Sequence, residues 1–127
     1  IRNSIIFEGT AIGQLSFIGD SVIGKNVEFR AGISTSNLPF DRRLNEIKSI
    51  GNVKMNLDGQ EVVIPVEKFG TIIGDNVLIS NNVSINAGKT IGENSIIMPN
   101  TLIDQDIEPN SVAYSTQKLE LRKRNDI

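Results

Sequence analysis

The sequence predicts an all-β solenoid of parallel strands, and three observations predict it. Isoleucine recurs every sixth residue at Ile73, Ile79, Ile85, Ile91, Ile97 and Ile103. Small or compact residues follow one position later at Gly74, Ser80, Asn86 and Gly92. A second recurring position lies four residues after the isoleucines, at Val77, Val83, Ser95, Thr101 and Ile107. An amphipathic helix needs apolar residues at steps of three and four, and a half-buried strand needs alternation, so a sustained period of six fits neither. It fits a coil made of hexads, each presenting a branched side chain to a shared core.

The rest of the chain can be assigned in order. Ile6, Ile12 and Ile18 start the same rhythm, with Thr10, Ser16 and Val22 four places on. The frame then slips by one to Ile23 and resumes at Phe29, with Val27 as its partner, as one short side at a coil corner would require. From Ser36 to Phe69 the rhythm stops and the composition turns polar. Inside that stretch Val53, Met55 and Leu57 alternate with Lys54 and Asn56, and Asp58-Gly59 leads into Gln60, Glu61, Val62 and Val63. An Asp-Gly pair between two such runs signals a tight hairpin. Residues 36–70 therefore form an arm thrown out of a solenoid that spans residues 1–114. About ninety residues are left for coils, or roughly five turns at about eighteen each. Ser115-Thr116 is expected to cap a short helix through Leu119 and Leu121, in a tail of residues 115–127. Lys118, Arg122, Lys123 and Arg124 there, set against Glu120 and Asp126, suit a solvated cap over the open core or an anion-binding segment.

Composition removes several functions. The 127 residues suit one domain with a real core. There is no Cys, hence no disulfide or thiol chemistry, and a reducing cytoplasm is the expected setting. There is no His, which removes the commonest general base and transition-metal ligand. A net charge of -2 gives no basic field for nucleic acid, and no apolar run is long enough to span a membrane. The sequence opens at Ile1 without Met, as a domain of a longer protein would.

The segments IGDNVL, ISNNVS, INAGKT and IGENSI resemble the hexapeptide repeat of left-handed parallel β-helices, in which three short strands make one triangular coil. Coils stack at about 4.8 Å, so each isoleucine would sit on its counterpart three hexads away. The left hand departs from the usual crossover of parallel strands and is implied by the resemblance alone. The likeness extends over almost the whole chain: RNSIIFEGT, QLSFIGDSVIGKNVEFRAG, STSNLPFD, VKMNLDGQ, KFGTIIGD and NAGKTIG are each similar to segments of one family. That family is the C-terminal domain of two-domain sugar-1-phosphate nucleotidylyltransferases. Its best-known members acetylate glucosamine-1-phosphate from acetyl-CoA and then transfer a uridylyl group with a separate N-terminal domain.

The resemblance implies a homotrimer with acetyltransferase sites between neighbours and the arm as a wall. A contiguous apolar run on the arm, Val62, Val63, Ile64, Val66 and Phe69, also calls for a partner. In the family a His deprotonates the sugar amine within a His-Leu-Ser/Thr-Tyr-aliphatic-Gly-Asp motif. Here the motif is Gln14-Leu15-Ser16-Phe17-Ile18-Gly19-Asp20. Gln14 takes the base position, and an amide is no base near neutral pH. Phe17 keeps the family's ring but loses its hydroxyl, and Glu28 stands where an Asn contacts the sugar. Arg2 and Lys68 correspond to basic residues that hold the sugar phosphate.

On the coenzyme side the implied positions are Ala31, Asn37, Leu38, Asn81, Pro99 and Thr116, of which Ala31 and Asn37 match in type. Asn37 could equally close the turn before Pro39, and Asn81 and Asn82 could simply occupy coil corners. Arg42, Arg43, Lys48 and Lys54 on the arm are balanced by Asp41, Glu46, Asp58, Glu61 and Glu67, as on a solvated surface. Asp20, Glu28 and Asp41 are the acids nearest the cleft that could replace the base if buried. Two readings follow. One is a trimerising domain with a degenerate acetyl-CoA:amino-sugar-phosphate acetyltransferase site that retains ligand binding; the other is an active acetyltransferase on a hexosamine-1-phosphate with a base other than His. Neither needs a metal.

Overall fold

A computed structural model of the chain describes residues 1–38, 53–66 and 68–126. Two-residue strands wind through three parallel sheets, and the winding makes a triangular prism of five stacked coils. The first coil holds β1 (Ile5–Ile6), β2 (Ala11–Ile12) and a bridge at Phe17. The second holds β3 (Val22–Ile23), β4 (Glu28–Phe29) and β5 (Ser34–Thr35). The hairpin strands β6 (Val53–Leu57) and β7 (Gln60–Ile64) come next, and then β8 (Ile72–Ile73), β9 (Leu78–Ile79) and β10 (Ser84–Ile85) make the third coil. A fourth coil of β11 (Thr90–Ile91), β12 (Ile96–Ile97) and β13 (Leu102–Ile103) precedes a last one with a bridge at Ile107 and β14 (Val112–Ala113).

We call the walls first, second and third in the order the chain meets them. The first wall stacks β1, β3, β8 and β11, the second β2, β4, β9, β12 and β14, and the third β5, β10 and β13 below Phe17. Register follows the predicted hexads: Ile6 pairs with Ile23, Ile73 with Ile91, Ile79 with Ile97 and Ile85 with Ile103. All of these inward residues are buried except Ile6, which is half-buried at the open first coil. Full burial of one such side chain contributes about 1.5–3 kcal/mol, and here every column repeats it coil after coil. The one-residue slip between Ile18 and Ile23 is accommodated at a corner, where Asp20 has φ 52°. Left-handed backbone recurs at corners, chiefly on Asn, which tolerates it best after Gly. Asn26, Asn76, Asn94 and Asn110 form one such column, and adjacent side-chain amides bond at 3.3–3.5 Å.

Inward hydroxyls at the ends of the tube are satisfied by the backbone. The Thr10, Ser16 and Ser95 hydroxyls accept the N–H of Val27, Ile33 and Ser111 in the neighbouring coil, at 3.1–3.2 Å. That satisfies buried polar atoms which would otherwise cost about 1–3 kcal/mol each.

The hairpin forms with a two-residue loop, Leu57 pairing with Gln60, and Asp58 and Gly59 both have positive φ, the turn that Asp-Gly favours. Val53 and Met55 are buried and Lys54 and Asn56 exposed. The hairpin lies against a lower corner, since a Cβ on Gly88 would come within 2.7 Å of the Lys54 carbonyl oxygen. Both roots of the arm meet at Asp20. The Asn37 amide donates to the Asp20 carboxylate at 2.8 Å, Phe69 N–H donates to the Asn37 carbonyl at 3.1 Å, and Gly70 N–H donates to the Asp20 carbonyl at 2.8 Å. The remainder of the expected arm, with Pro39, Asp41, Arg42, Arg43, Glu46, Lys48 and Glu67, lies outside the described residues.

One expectation is corrected. The short helix from Ser115-Thr116 through Leu119 and Leu121 does not form, and residues 115–126 have no helix or strand. Leu119 and Leu121 stand two apart and are 84% and 87% exposed, so the segment has no apolar stripe to bury and is too short to be helical by itself.

Replacing Ile85 by Ala should cost about 2–5 kcal/mol in chemical denaturation, whereas Ser84→Ala on the outer face should change stability by less than about 0.5 kcal/mol. Asn37→Ala should release the arm's root, accelerating hydrogen exchange at the Phe69 and Gly70 amides by about 5- to 30-fold while the Ile85 amide stays protected.

Candidate functional site

The corners at either end of the third wall gather most of the predicted site residues into two groups. The first is the corner where the arm departs. Arg2 bridges Gly19 through the backbone, and Asp20 N–H donates to the Arg2 carbonyl at 2.9 Å. A Cβ on Gly19 would lie 2.8 Å from the Phe17 ring and 3.3 Å from the Asn37 amide nitrogen, so ring and amide lie side by side over a bare Cα. Only glycine leaves that space. Lys68 is exposed next to Phe69, which bonds Asn37. Arg2, Phe17, Asn37 and Lys68 therefore converge, although they are up to 66 residues apart in sequence. Among the described residues neither Arg2 nor Lys68 enters an ion pair.

The second group runs down the opposite corner. The Gln14 carbonyl accepts Gly32 N–H, the Ala31 carbonyl accepts Asn82 N–H, and the Asn81 carbonyl accepts Asn100 N–H, each at 3.0 Å. Gln14, Ala31, Asn81 and Pro99 thus occupy equivalent positions in successive coils, about 4.8 Å apart. Asn81 has a structural task too, its side-chain oxygen accepting Ala31 N–H at 3.0 Å. Asn82 has φ 58° and serves the corner itself. Thr116 lies near the foot of this column, because its neighbour Gln117 donates from its side-chain amide to the Asn100 carbonyl at 3.3 Å. Between the corners the outward face of the third wall presents Phe17, Ser34, Ser84 and Leu102 in register.

Two predicted residues stand apart. Glu28 is on the outer face of the second wall, between Ala11 and Leu78, and pairs with Arg30 at 3.3 Å. Within one chain it does not join Phe17. Leu38 is exposed at the start of the arm, where its carbonyl accepts the Ser36 hydroxyl. Asp20, considered above as an alternative base, has its carboxylate engaged by Asn37. Its role as the pin of the arm is not legible from the sequence, because Asn37 and Gly70 reach it from the two opposite roots of the insertion. No trio of His, Cys, Asp or Glu with the spacing to hold a metal occurs among the described residues, and no described helix is long and apolar enough to cross a membrane.

Comparison with known proteins agrees with this architecture. The bacterial transferase hexapeptide family (six repeats) matches residues 70–105. The chain is 42% identical over 125 residues to the bifunctional protein GlmU of Methanococcus vannielii, covering 98% of this chain and 28% of that protein. It is 36% identical over 107 residues to the bifunctional sugar-1-phosphate nucleotidylyltransferase/acetyltransferase of Sulfurisphaera tokodaii, covering 84% of this chain and 25% of that protein. The chain therefore spans about a quarter of the length of these relatives. Among solved structures, serine acetyltransferase isoform 3 of Entamoeba histolytica superposes with a TM-score of 0.59 at 22% identity, over 94% of this chain and 38% of that one, a likeness of fold. The chain is a hexapeptide-repeat left-handed β-helix domain, similar over nearly its whole length to the C-terminal domain of bifunctional sugar-1-phosphate nucleotidylyltransferase/acetyltransferases.

Proposed function

We propose that this chain is the C-terminal domain of a cytoplasmic sugar-1-phosphate nucleotidylyltransferase. In this reading residues 1–114 form the β-helix, with 36–70 as its arm, and residues 115–127 form the tail. The domain assembles the enzyme as a homotrimer and keeps an acetyltransferase-type cleft that has lost its chemistry. The observation that carries the reading is Gln14. It heads the corner column at the position of the family's base, and the whole sequence contains no His to replace it. An amine becomes nucleophilic only when its proton has an acceptor, and a positioned base is worth about 10² to 10⁴ in rate. Phe17 offers no hydroxyl, and Glu28 would repel a sugar phosphate.

The cleft keeps the features of a binding site. Arg2 and Lys68 provide positive charge for a phosphate beside the Phe17 ring. The column of Ala31, Asn81 and Pro99, with Asn37 and Leu38 at the arm and Thr116 at the foot, provides a narrow track for the pantetheine of acetyl-CoA. Similarity to the bifunctional nucleotidylyltransferase/acetyltransferase of Sulfurisphaera favours a second reading, an active acetyltransferase on a hexosamine-1-phosphate with a carboxylate as base. Asp20 suits that task poorly because it already accepts the Asn37 amide.

Mixed with acetyl-CoA and glucosamine-1-phosphate, the protein should release free CoA at the background rate, and turnover by the unaltered chain would overturn the degenerate-site reading. The triple variant Gln14→His, Phe17→Tyr and Glu28→Asn should raise the rate by about 10² to 10⁴. In sedimentation at micromolar concentration the chain should run at three times its own mass; a monomer would contradict the trimer.

A further inference from the structure

The turn that carries Gln14 contains a residue whose backbone and surroundings both run against its chemistry. Ten described residues other than glycine have positive φ, and nine of them are Asn or Asp, whose short polar side chains tolerate that backbone. The tenth is Leu15, at φ 57°. The equivalent corner position in the coils below is taken by Gly32, Asn82 and Asn100, all with positive φ. A bulky side chain in this conformation is an outlier that persists only where its surroundings enforce it.

Leu15 is also the most exposed large apolar side chain among the described residues, at 91%. The position below it is Gly32, which has no side chain to support it, and a Cβ there would come within 2.5 Å of the Asn82 side-chain oxygen. A single exposed leucine needs no explanation. An exposed leucine on strained backbone does, because Asn or Gly would relieve the strain and the exposure together, as in the three coils below.

The turn is held on both sides of the strained residue. The Gln14 carbonyl accepts Gly32 N–H at 3.0 Å, and the Ser16 hydroxyl accepts Ile33 N–H at 3.1 Å. Leu15 is therefore presented at a fixed place, directly after the residue that heads the corner column. A small apolar group bound beside Gln14 would give the leucine the contact that the folded chain withholds.

We propose that Leu15 covers the acyl group of a bound acyl-CoA and so sets the preference of this cleft for an acylated over a free coenzyme. The inference rests on the retained-binding reading above. With Ala31, Asn81 and Pro99 along the pantetheine and Thr116 at the foot, the thioester end of the coenzyme reaches Gln14 and its acyl group meets Leu15. An acyl methyl makes no hydrogen bond, so an apolar neighbour is what distinguishes it from a bare thiol, and burying one such group is worth about fourfold in affinity. Stability given up at a strained residue in return for binding is a common trade at functional sites.

The test titrates acetyl-CoA and CoA separately, by calorimetry, into the full chain and into its Leu15→Asn and Leu15→Met variants, with denaturant unfolding and sedimentation of each. The unaltered chain should bind acetyl-CoA about 3- to 10-fold more tightly than CoA. Leu15→Asn should bring the two affinities together while changing that for CoA by less than about twofold, and relief of the backbone should raise its folding equilibrium constant by about 3- to 10-fold. Leu15→Met, still apolar and no easier on the backbone, should keep both the preference and the original stability. A Leu15→Asn chain that keeps the preference, or an unaltered chain that binds both ligands alike, would overturn the role of Leu15 and leave retained binding standing. Binding of neither ligand would overturn both. Conversion of a trimer to a monomer by Leu15→Asn would place the leucine against a second copy and overturn its contact with the coenzyme.

Discussion

Each inward side chain of this prism must stack on the equivalent side chain of the coil above and the coil below, at a spacing of about 4.8 Å. The columns Ile6, Ile23, Ile73, Ile91 and Ile12, Phe29, Ile79, Ile97 are the direct expression of that constraint. A shift of one residue in any wall would turn the whole set outward, so the strands themselves admit no error. Irregularity is confined to corners. The shortened first coil, the large insertion and the contracted last coil all begin and end where backbone has left the sheets.

This division explains how the candidate site can vary without loss of the fold. Gln14, Ala31, Asn81 and Pro99 occupy a corner, Phe17 and Glu28 point outward, and none contributes to the buried columns. Replacement of a base or a hydroxyl at such positions removes chemistry and leaves the stacked core untouched, as expected when function is grafted on a scaffold. The arm is attached under the same rule. It leaves and returns at one corner, where among the described residues backbone bonds around Asp20 and the Asn37 side-chain amide hold its roots, and its hairpin lies against the corner at Gly88.

A stack has two ends, and the energetic problem of a solenoid is concentrated there. At the N-terminal end the core residues Ile6 and Ile12 are only partly covered, and hydroxyls of Ser4, Thr10 and Ser16 tie the first coil to the second. At the other end the Ser95 hydroxyl ties β12 to the last coil, yet β13 is left as an edge over an apolar recess. Unpaired edges of this kind invite another strand.

The period-six isoleucines, the five coils and the Asp-Gly hairpin were legible in the sequence because each is encoded locally: every hexad meets the same environment, and a two-residue turn needs only its own backbone preference. The proposed loss of a base at Gln14 rests on the same kind of local reading, since the motif around it is contiguous. The tail was misread as a helix because a cap signal says nothing about whether a face will be buried, and here no surface received it. Only the folded chain brought Arg2, Phe17, Asn37 and Lys68 around Gly19, placed Glu28 on a different wall and left the third wall of the last coil open. These depend on which residues meet after 17 to 50 positions of intervening chain have closed a turn, and stacking register, not local pattern, sets that.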